Sequence, residues 1–188
     1  MVAAIVVGWL MAAIVLGAAG VTQSLRPPAP QVVLLGLTVL LVLLGFGLSS
    51  FRSWMMTVDE RVVVGLHLTR FVGIYFLILY GRGELPFDFA VPGGWGDTVV
   101  ATTALGLIVL CRATSQVGWW AYSIWNVIGL LDILFVVATA VRLGLTAPES
   151  LQPLLRLPLS LLPTWLVPLI IASHVFLGIR LAQNRPGG

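Results

Sequence analysis

The chain of 188 residues is 59% hydrophobic and 9% charged, and its ten arginine and seven acidic residues leave a formal charge of +3. A soluble domain carries about a quarter charged residues, so this composition excludes a water-soluble globule, and the spread of the arginines excludes a nucleic-acid binder with one basic face. Apolar runs of about 20 residues, each long enough to cross a hydrocarbon core of about 30 Å, recur along the chain and predict a polytopic membrane protein.

Six apolar segments predict an all-α bundle of six membrane-spanning helices in one domain that covers residues 1–188. The first segment lacks the basic residues that begin a signal peptide, so we expect it to remain as a membrane helix. Six crossings leave both chain termini on the same side of the membrane. The expected helices occupy residues 2–21, 32–48, 62–80, 98–111, 117–141 and 159–181.

Residues 81–96 form the longest stretch rich in Gly and Pro, and they predict an irregular loop at the membrane surface. Within this stretch, residues 92–96 are typical of a tight turn. Asp97 follows the turn directly, so we expect its carboxylate to cap the helix at residues 98–111.

Arginine carries the signal for orientation, because the chain contains no lysine and acidic residues contribute little to orientation. Five arginines fall on the side of the termini and four on the opposite side, which favours termini in the cytoplasm. The first group is Arg52, Arg61, Arg112, Arg180 and Arg185, and the second is Arg26, Arg82, Arg142 and Arg156. The expected partner of the chain is the lipid bilayer, without nucleic acid.

Arg70 and Asp132 are charged residues inside apolar segments, where each charge costs about 2.5–3.5 kcal/mol at a helix centre. Arg70 lies nine residues beyond Arg61, about 13 Å into the membrane at 1.5 Å per residue. An unpaired buried charge is much more costly than a paired one. We therefore predict that Arg70 and Asp132 are partners, either directly or through a polar bridge such as Asn126 or water. The pair serves either a functional site or only the orientation of two helices.

The two histidines are predicted to lie at nearly equal depth. His67 stands six residues from Arg61, and His174 stands six residues from Arg180 on a helix that runs the opposite way. Haem ligation by two imidazoles requires equal depth on two helices, so His67 and His174 form a candidate haem b site. Alternatively, they belong to the polar cluster with Arg70 as hydrogen-bonded or proton-relay residues.

The sequence does not support an enzyme, because no catalytic motif accompanies its serines and no metal-ligand spacing occurs. The single cysteine, Cys111, excludes an intrachain disulfide. Candidate functional residues therefore concentrate in one buried polar cluster, which comprises Arg70, Asp132, Asn126, His67 and His174.

Three sets of residues stand out together between residues 70 and 174. The first set comprises Arg70-x-x-Gly73 and the Gly/Pro-rich string from Gly83 to Asp97. The second set is Trp125-Asn126-x-x-Gly129-x-x-Asp132. The third set is Pro163-Thr164-x-x-Val167-Pro168 together with His174. In these sets the chain resembles, over about residues 60–182, a family of small bacterial polytopic membrane proteins of uncharacterised function. The resemblance implies a fold of about six helices and a location in the bacterial cytoplasmic membrane, and it transfers no activity.

Three functions are compatible with this sequence. The first is translocation of a small solute or of protons along the buried polar cluster, as intramembrane charges often indicate. The second is electron transfer through haem b held by His67 and His174. The third is a non-catalytic accessory or assembly subunit, which packs as a homo-oligomer or within a larger membrane complex.

Overall fold

The computed structural model describes residues 2–185, apart from the side chain of Met55, and in this range it is helical without a strand. The predicted all-α class is confirmed, and the predicted domain 1–188 extends past both described ends. The α-helices are α1 (Val2–Ala18), α2 (Val21–Ser24), α3 (Ala29–Gly47), α4 (Ser49–Thr57), α5 (Glu60–Gly65), α6 (Val72–Gly81), α7 (Phe87–Leu110), α8 (Gln116–Thr146) and α9 (Val167–Gln183). Two 3-10 helices cover Leu66–Phe71 and Pro148–Leu155, and a π-helical turn covers Leu162–Leu166.

Within residues 2–185, five helical segments are long and apolar enough to cross a membrane. A helix that is apolar on all sides is typical of a membrane or of a large core, and these segments expose large apolar side chains such as Leu110, Val117 and Leu131. Helix α1, with 17 residues, is shorter than the five, so a count of six crossings stays a prediction. The five segments are Ala29–Gly47, Glu60–Gly81, Phe87–Leu110, Gln116–Thr146 and Leu162–Gln183.

The segment Glu60–Gly81 changes its helix type in the middle. Its start is capped by the Asp59 carboxylate, which accepts a hydrogen bond from the Arg61 amide at 2.8 Å. The 3-10 helix Leu66–Phe71 then connects α5 to α6. A 3-10 stretch inside a longer helix often marks a hinge or a strained sequence, and this one carries Arg70.

Helices α6 and α7 approach each other through glycine residues. A Cβ atom on Gly94 would lie 2.7 Å from the Gly73 carbonyl oxygen, and a Cβ atom on Gly73 would lie 2.8 Å from the Cβ atom of Asp97. Real Cβ atoms do not approach other atoms so closely, and small residues are what lets two helix backbones meet. This contact places Asp97 beside the 3-10 helix that precedes α6.

Helix α7 begins at Phe87 and not at residue 98, so the predicted loop at residues 81–96 is wrong over much of its length. The turn that precedes α7 is short and contains Gly83 in the left-handed region, with a φ of 73°. Apolar side chains of the additional helical turns pack into the core, among them the buried Phe89. This packing outweighs the local preference of Gly and Pro for turns, because helix propensity is a weak term beside tertiary contacts.

Asp97 is therefore not a helix cap, and the expectation from the sequence is wrong at this position. It lies in the interior of α7 and is buried. Residues 92–96 belong to the helix rather than to a tight turn, although Pro92 leaves one backbone hydrogen bond unmade. The carboxylate is thus presented to the bundle from the middle of a long helix.

One end of the bundle, here named the Arg180 end, contains the C-terminal part of α9 and the loop between α7 and α8. Arg180 donates to the Glu60 carboxylate at 3.0 Å and to the Val58 carbonyl oxygen. The Trp119 indole donates to the Leu181 carbonyl oxygen at 2.8 Å. These contacts hold α9 against the starts of α5 and α8.

The opposite end, here named the Pro148 end, contains the 3-10 helix between α8 and α9. Helix α8 continues to Thr146, beyond its predicted end at residue 141, before this 3-10 helix begins. The Thr22 hydroxyl donates to the Leu155 carbonyl oxygen at 2.8 Å. The connection is therefore fixed to α2 and is not a free loop.

Candidate functional site: the buried Arg70 cluster

Arg70 is at the centre of a buried polar cluster. Its side chain is 1% exposed, its Nε donates to Asp97 Oδ1 at 2.6 Å, and its Nη1 donates to the Gly129 carbonyl oxygen at 3.1 Å. The remaining nitrogen, Nη2, binds Asp132 Oδ2. The guanidinium thus joins the 3-10 helix, α7 and α8, and all three of its nitrogen atoms are in use.

The structure brings Arg70 and Asp132 into direct contact, and it adds Asp97, which sequence reasoning missed. The glycine-rich run before Asp97 predicts a turn, so the sequence places this residue at the start of a helix and not in the interior of the bundle. The signal that could have found it is helical spacing: Phe89, Gly93 and Asp97 recur every four residues and share a buried face.

The cluster contains two carboxylates for one guanidinium. The side chain of Asp97 is 5% exposed and that of Asp132 is 19% exposed, so neither carboxylate is fully solvated. With both ionised, the three groups carry one excess negative charge. Excess charge in a medium of low dielectric is costly unless a proton or another cation neutralises it. The arrangement therefore favours the binding of one additional positive charge.

His67 and His174 lie in contact next to these ion pairs. Their ring centroids are 4.2 Å apart, and neither side chain has exposed surface. A hydrogen bond of 3.0 Å joins His67 Nε2 to Ser173 Oγ, and one of 2.9 Å joins His174 Nδ1 to Asn126 Oδ1. Asn126 therefore orients His174. It does not bridge Arg70 to Asp132, which was one of the two predicted arrangements, because these two side chains bind each other directly.

Gly129 joins the histidine pair to the ion pairs. Its carbonyl oxygen accepts a hydrogen bond from Arg70, and a Cβ atom at this position would lie 2.7 Å from His174 Cε1. The backbone of α8 is therefore in contact with both parts. We refer to the connected side chains as the Arg70 cluster, which comprises Arg70, Asp97, Asp132, His67, His174, Asn126 and Ser173.

One nitrogen of each imidazole is without a partner. His67 Nδ1 and His174 Nε2 are buried and make no hydrogen bond within residues 2–185. Each unpaired buried polar atom costs about 1–3 kcal/mol, so its retention in a native structure needs an explanation. A neutral imidazole has one donor and one acceptor nitrogen, so these atoms give the cluster a free position for taking up or releasing a proton.

The histidine pair does not fit the ligation of haem. Two imidazoles that hold one iron stand on opposite faces of the porphyrin plane, so the macrocycle separates their rings. The rings of His67 and His174 instead touch each other, and Trp125 packs against the His67 ring with a centroid distance of 4.9 Å. Within the described part of the chain, no group of three or more His, Cys, Asp or Glu side chains could hold a metal ion.

Two cavities lie at different distances from the Arg70 cluster. The cavity at the Pro148 end has a volume of about 120 Å³ and reaches Arg70 and Asp97. The cavity at the Arg180 end has a volume of about 320 Å³ and is lined by Leu177, which lies one helical turn from His174. The cavity at the Pro148 end therefore contacts the cluster directly, whereas none of the cluster residues line the cavity at the Arg180 end.

Comparison with known proteins links the chain to a family without a described activity. No match was found among curated proteins or among solved structures. The sequence matches the family described as "Domain of unknown function (DUF8737)" over residues 27–182, a region that contains the whole Arg70 cluster. Because the match covers most of the chain, the protein belongs to this family.

Proposed function

We propose that the protein is an integral membrane protein that translocates protons through the Arg70 cluster. The five long apolar helices support a location in a membrane. In this proposal α1 forms a sixth crossing, and the arginine distribution supports termini on the cytoplasmic side of a bacterial inner membrane. The chain forms one domain and works without catalytic chemistry.

The observation that carries the proposal is the excess carboxylate of the cluster. One guanidinium binds both Asp97 and Asp132 far from the ends of their helices. Ionisable groups at such positions mark proton or ion pathways in membrane proteins, because their burial is too costly to be retained without a role. Uptake of one proton neutralises the cluster, and its release restores the charged state.

The two cavities supply the access that a proton pathway needs. Protons from one side reach Asp97 through the cavity at the Pro148 end. From the other side, the cavity at the Arg180 end approaches to within one turn of His174. In this proposal a proton that moves from one cavity to the other passes through the cluster and then along α9 past Leu177.

The histidine pair bridges the remaining distance. An imidazole accepts a proton at one nitrogen and releases one from the other. Because His67 Nδ1 and His174 Nε2 have no partner within the described residues, each ring has a nitrogen available for this exchange. The hydrogen bonds to Ser173 and Asn126 hold the rings in position.

Substitution D97N tests the proposal. It removes the excess negative charge with little change of shape and leaves a neutral pair of Arg70 and Asp132, so the fold is expected to persist. We expect proton flux into liposomes to fall at least about ten-fold, since loss of a positioned proton-transfer group costs about 10²–10⁴ in rate. The flux is driven by a potassium diffusion potential and read with a pH-sensitive dye inside the liposomes.

The matched control is D88N. Asp88 also pairs with an arginine, Arg142 at 2.9 Å, but both side chains are more than half exposed. We expect this variant to keep the flux of the wild type. Equal flux in D97N and wild-type liposomes, or wild-type flux no greater than that of protein-free liposomes, would overturn the proposal.

A further inference from the structure

The cavity at the Pro148 end is apolar along its walls and polar at its inner end. Its inner end is formed by Arg70 and Asp97. Its walls come from the C-terminal half of α8, the 3-10 helix Pro148–Leu155 and the π-helical turn. The wall residues include Ile133, Val137, Ala140, Leu151 and Leu166. A ligand of this cavity therefore has an apolar body and carries its polar group at one end.

The polar atoms of the cavity include two acceptors that have no hydrogen-bond partner among the described residues. Each of the three nitrogen atoms of Arg70 makes one hydrogen bond, to Asp97, Gly129 or Asp132, which uses three of the five N–H groups of the guanidinium. Asp97 uses Oδ1 for Arg70, and its Oδ2 makes no hydrogen bond within residues 2–185. Nearer the Pro148 end, the buried Gln31 Oε1 is also without a partner among the described residues. A ligand that carries a donor can pair with these two acceptors.

Charge balance decides which kind of donor fits. The charged groups that face Asp97 are Arg70 from the 3-10 helix Leu66–Phe71 and Asp132 from α8. The titratable side chains of His67 and His174 belong to the same cluster. Together Arg70 and the two carboxylates carry one excess negative charge, which a cation neutralises and a neutral alcohol does not. An anion would add a second unpaired negative charge and is excluded on the same ground.

The volume limits the size of the ligand. An apolar cavity of about 150 Å³ is known to hold benzene, and this cavity has a volume of about 120 Å³. A single six-membered ring or a branched alkyl group of similar size is therefore the largest body that fits without movement of the helices.

We propose that this cavity binds a small monoamine cation with an apolar body, whose ammonium group pairs with Asp97 in place of a proton. Binding of the cation releases the neutralising proton from the cluster, so one positive charge replaces another. This inference rests on the proposed function, because it makes proton and amine alternative occupants of one carboxylate site. It names a substrate class: the proton pathway exchanges protons for small lipophilic amines.

Calorimetric titration of the purified protein in detergent with benzylamine and with benzyl alcohol tests this inference. The two probes have nearly the same shape and differ in charge. We expect benzylamine to bind at least about ten-fold more tightly than benzyl alcohol, a difference that corresponds to about 1.4 kcal/mol. Titration in two buffers of different ionisation enthalpy is expected to show release of about one proton for each amine bound, as mutually exclusive occupancy requires.

Variants of α8 and α7 provide the controls. Ala140 lines the cavity, whereas Ala138 on the same helix is exposed to the outside. We expect A140L to abolish amine binding by filling the cavity and A138L to bind like the wild type. D97N is also expected to lose amine binding. Because its cluster is neutral, we expect this variant to fold, so it provides the test if A140L is not monodisperse.

The outcomes separate the two proposals. Equal affinity for benzylamine and benzyl alcohol, or amine binding that survives both A140L and D97N, overturns the amine site. Proton flux without amine binding leaves the proposed translocation standing and removes only the substrate class. Amine binding without proton flux in liposomes supports the amine site and overturns the proton pathway.

Discussion

Replacement of Arg70 by methionine is expected to destabilise the folded protein by about 3–5 kcal/mol, the range for removal of one partner from a buried ion pair. The substitution keeps a long apolar side chain but leaves Asp97 and Asp132 as two buried carboxylates without a cation. The Gly129 carbonyl oxygen also loses its donor. We expect a lower yield of monodisperse protein and a lower midpoint of thermal unfolding, measured from tryptophan fluorescence in detergent.

The control for this variant is R142M. Arg142 binds Asp88 at 2.9 Å through an exposed ion pair, and exposed pairs contribute about 0–1 kcal/mol. The triple variant R70M/D97N/D132N removes all three charges and is expected to recover most of the lost stability, because no uncompensated charge remains. Similar unfolding midpoints for R70M and R142M would contradict the role of the buried cation.

Replacement of Gly73 by alanine is expected to destabilise the protein by about 1–3 kcal/mol, as overpacking of a close contact does. The new Cβ atom would lie 2.5 Å from the Gly94 carbonyl oxygen and 2.8 Å from the Cβ atom of Asp97. Neither neighbour is the flexible end of a side chain, so α6 and α7 have to separate. We expect a lower midpoint of thermal unfolding, together with reduced proton flux because Arg70 and Asp97 move apart.

The matched control is G65A, at the end of α5 in the same segment. A Cβ atom at Gly65 would meet nothing within 4 Å, and the residue has an ordinary helical φ of −58°. Alanine is favoured over glycine inside a helix by about 0.5–1 kcal/mol, so G65A is expected to unfold at the wild-type temperature or slightly above it. An equally stable G73A variant would show that α6 and α7 do not pack as closely as the structure places them.

The histidine pair illustrates how far sequence reasoning reaches in a helical bundle. Counting residues from Arg61 and Arg180 predicts nearly equal depth for His67 and His174, because the rise per residue of a helix is constant. The same count contains no information on how far apart the rings stand, since that depends on the rotation and separation of the helices. Two rings in contact and two rings separated by a porphyrin have the same sequence pattern, and the centroid distance of 4.2 Å distinguishes them.

Asp97 shows the opposite case, in which the local pattern is misleading. Gly and Pro before it favour a turn when only neighbouring residues are considered. In the folded chain the same glycines serve the close approach of α7 to α6, as the contact between Gly94 and Gly73 demonstrates. Whether a glycine-rich run forms a turn or a packed helix therefore depends on a partner helix that is remote in the chain.

The sequence by itself determined that the chain is all-α, where its long apolar helices lie except for the start of α7, and that Arg70, Asp132, His67 and His174 are polar residues in apolar surroundings. These properties follow from the hydropathy of consecutive residues and from the constant rise per residue of a helix, and both are local properties of the chain. Only the tertiary structure decided that Asp97 completes the cluster, that Asn126 binds His174, and that a cavity reaches the carboxylate. The physical reason is that hydrogen bonds and cavities depend on the rotation and spacing of helices, which packing between distant segments sets.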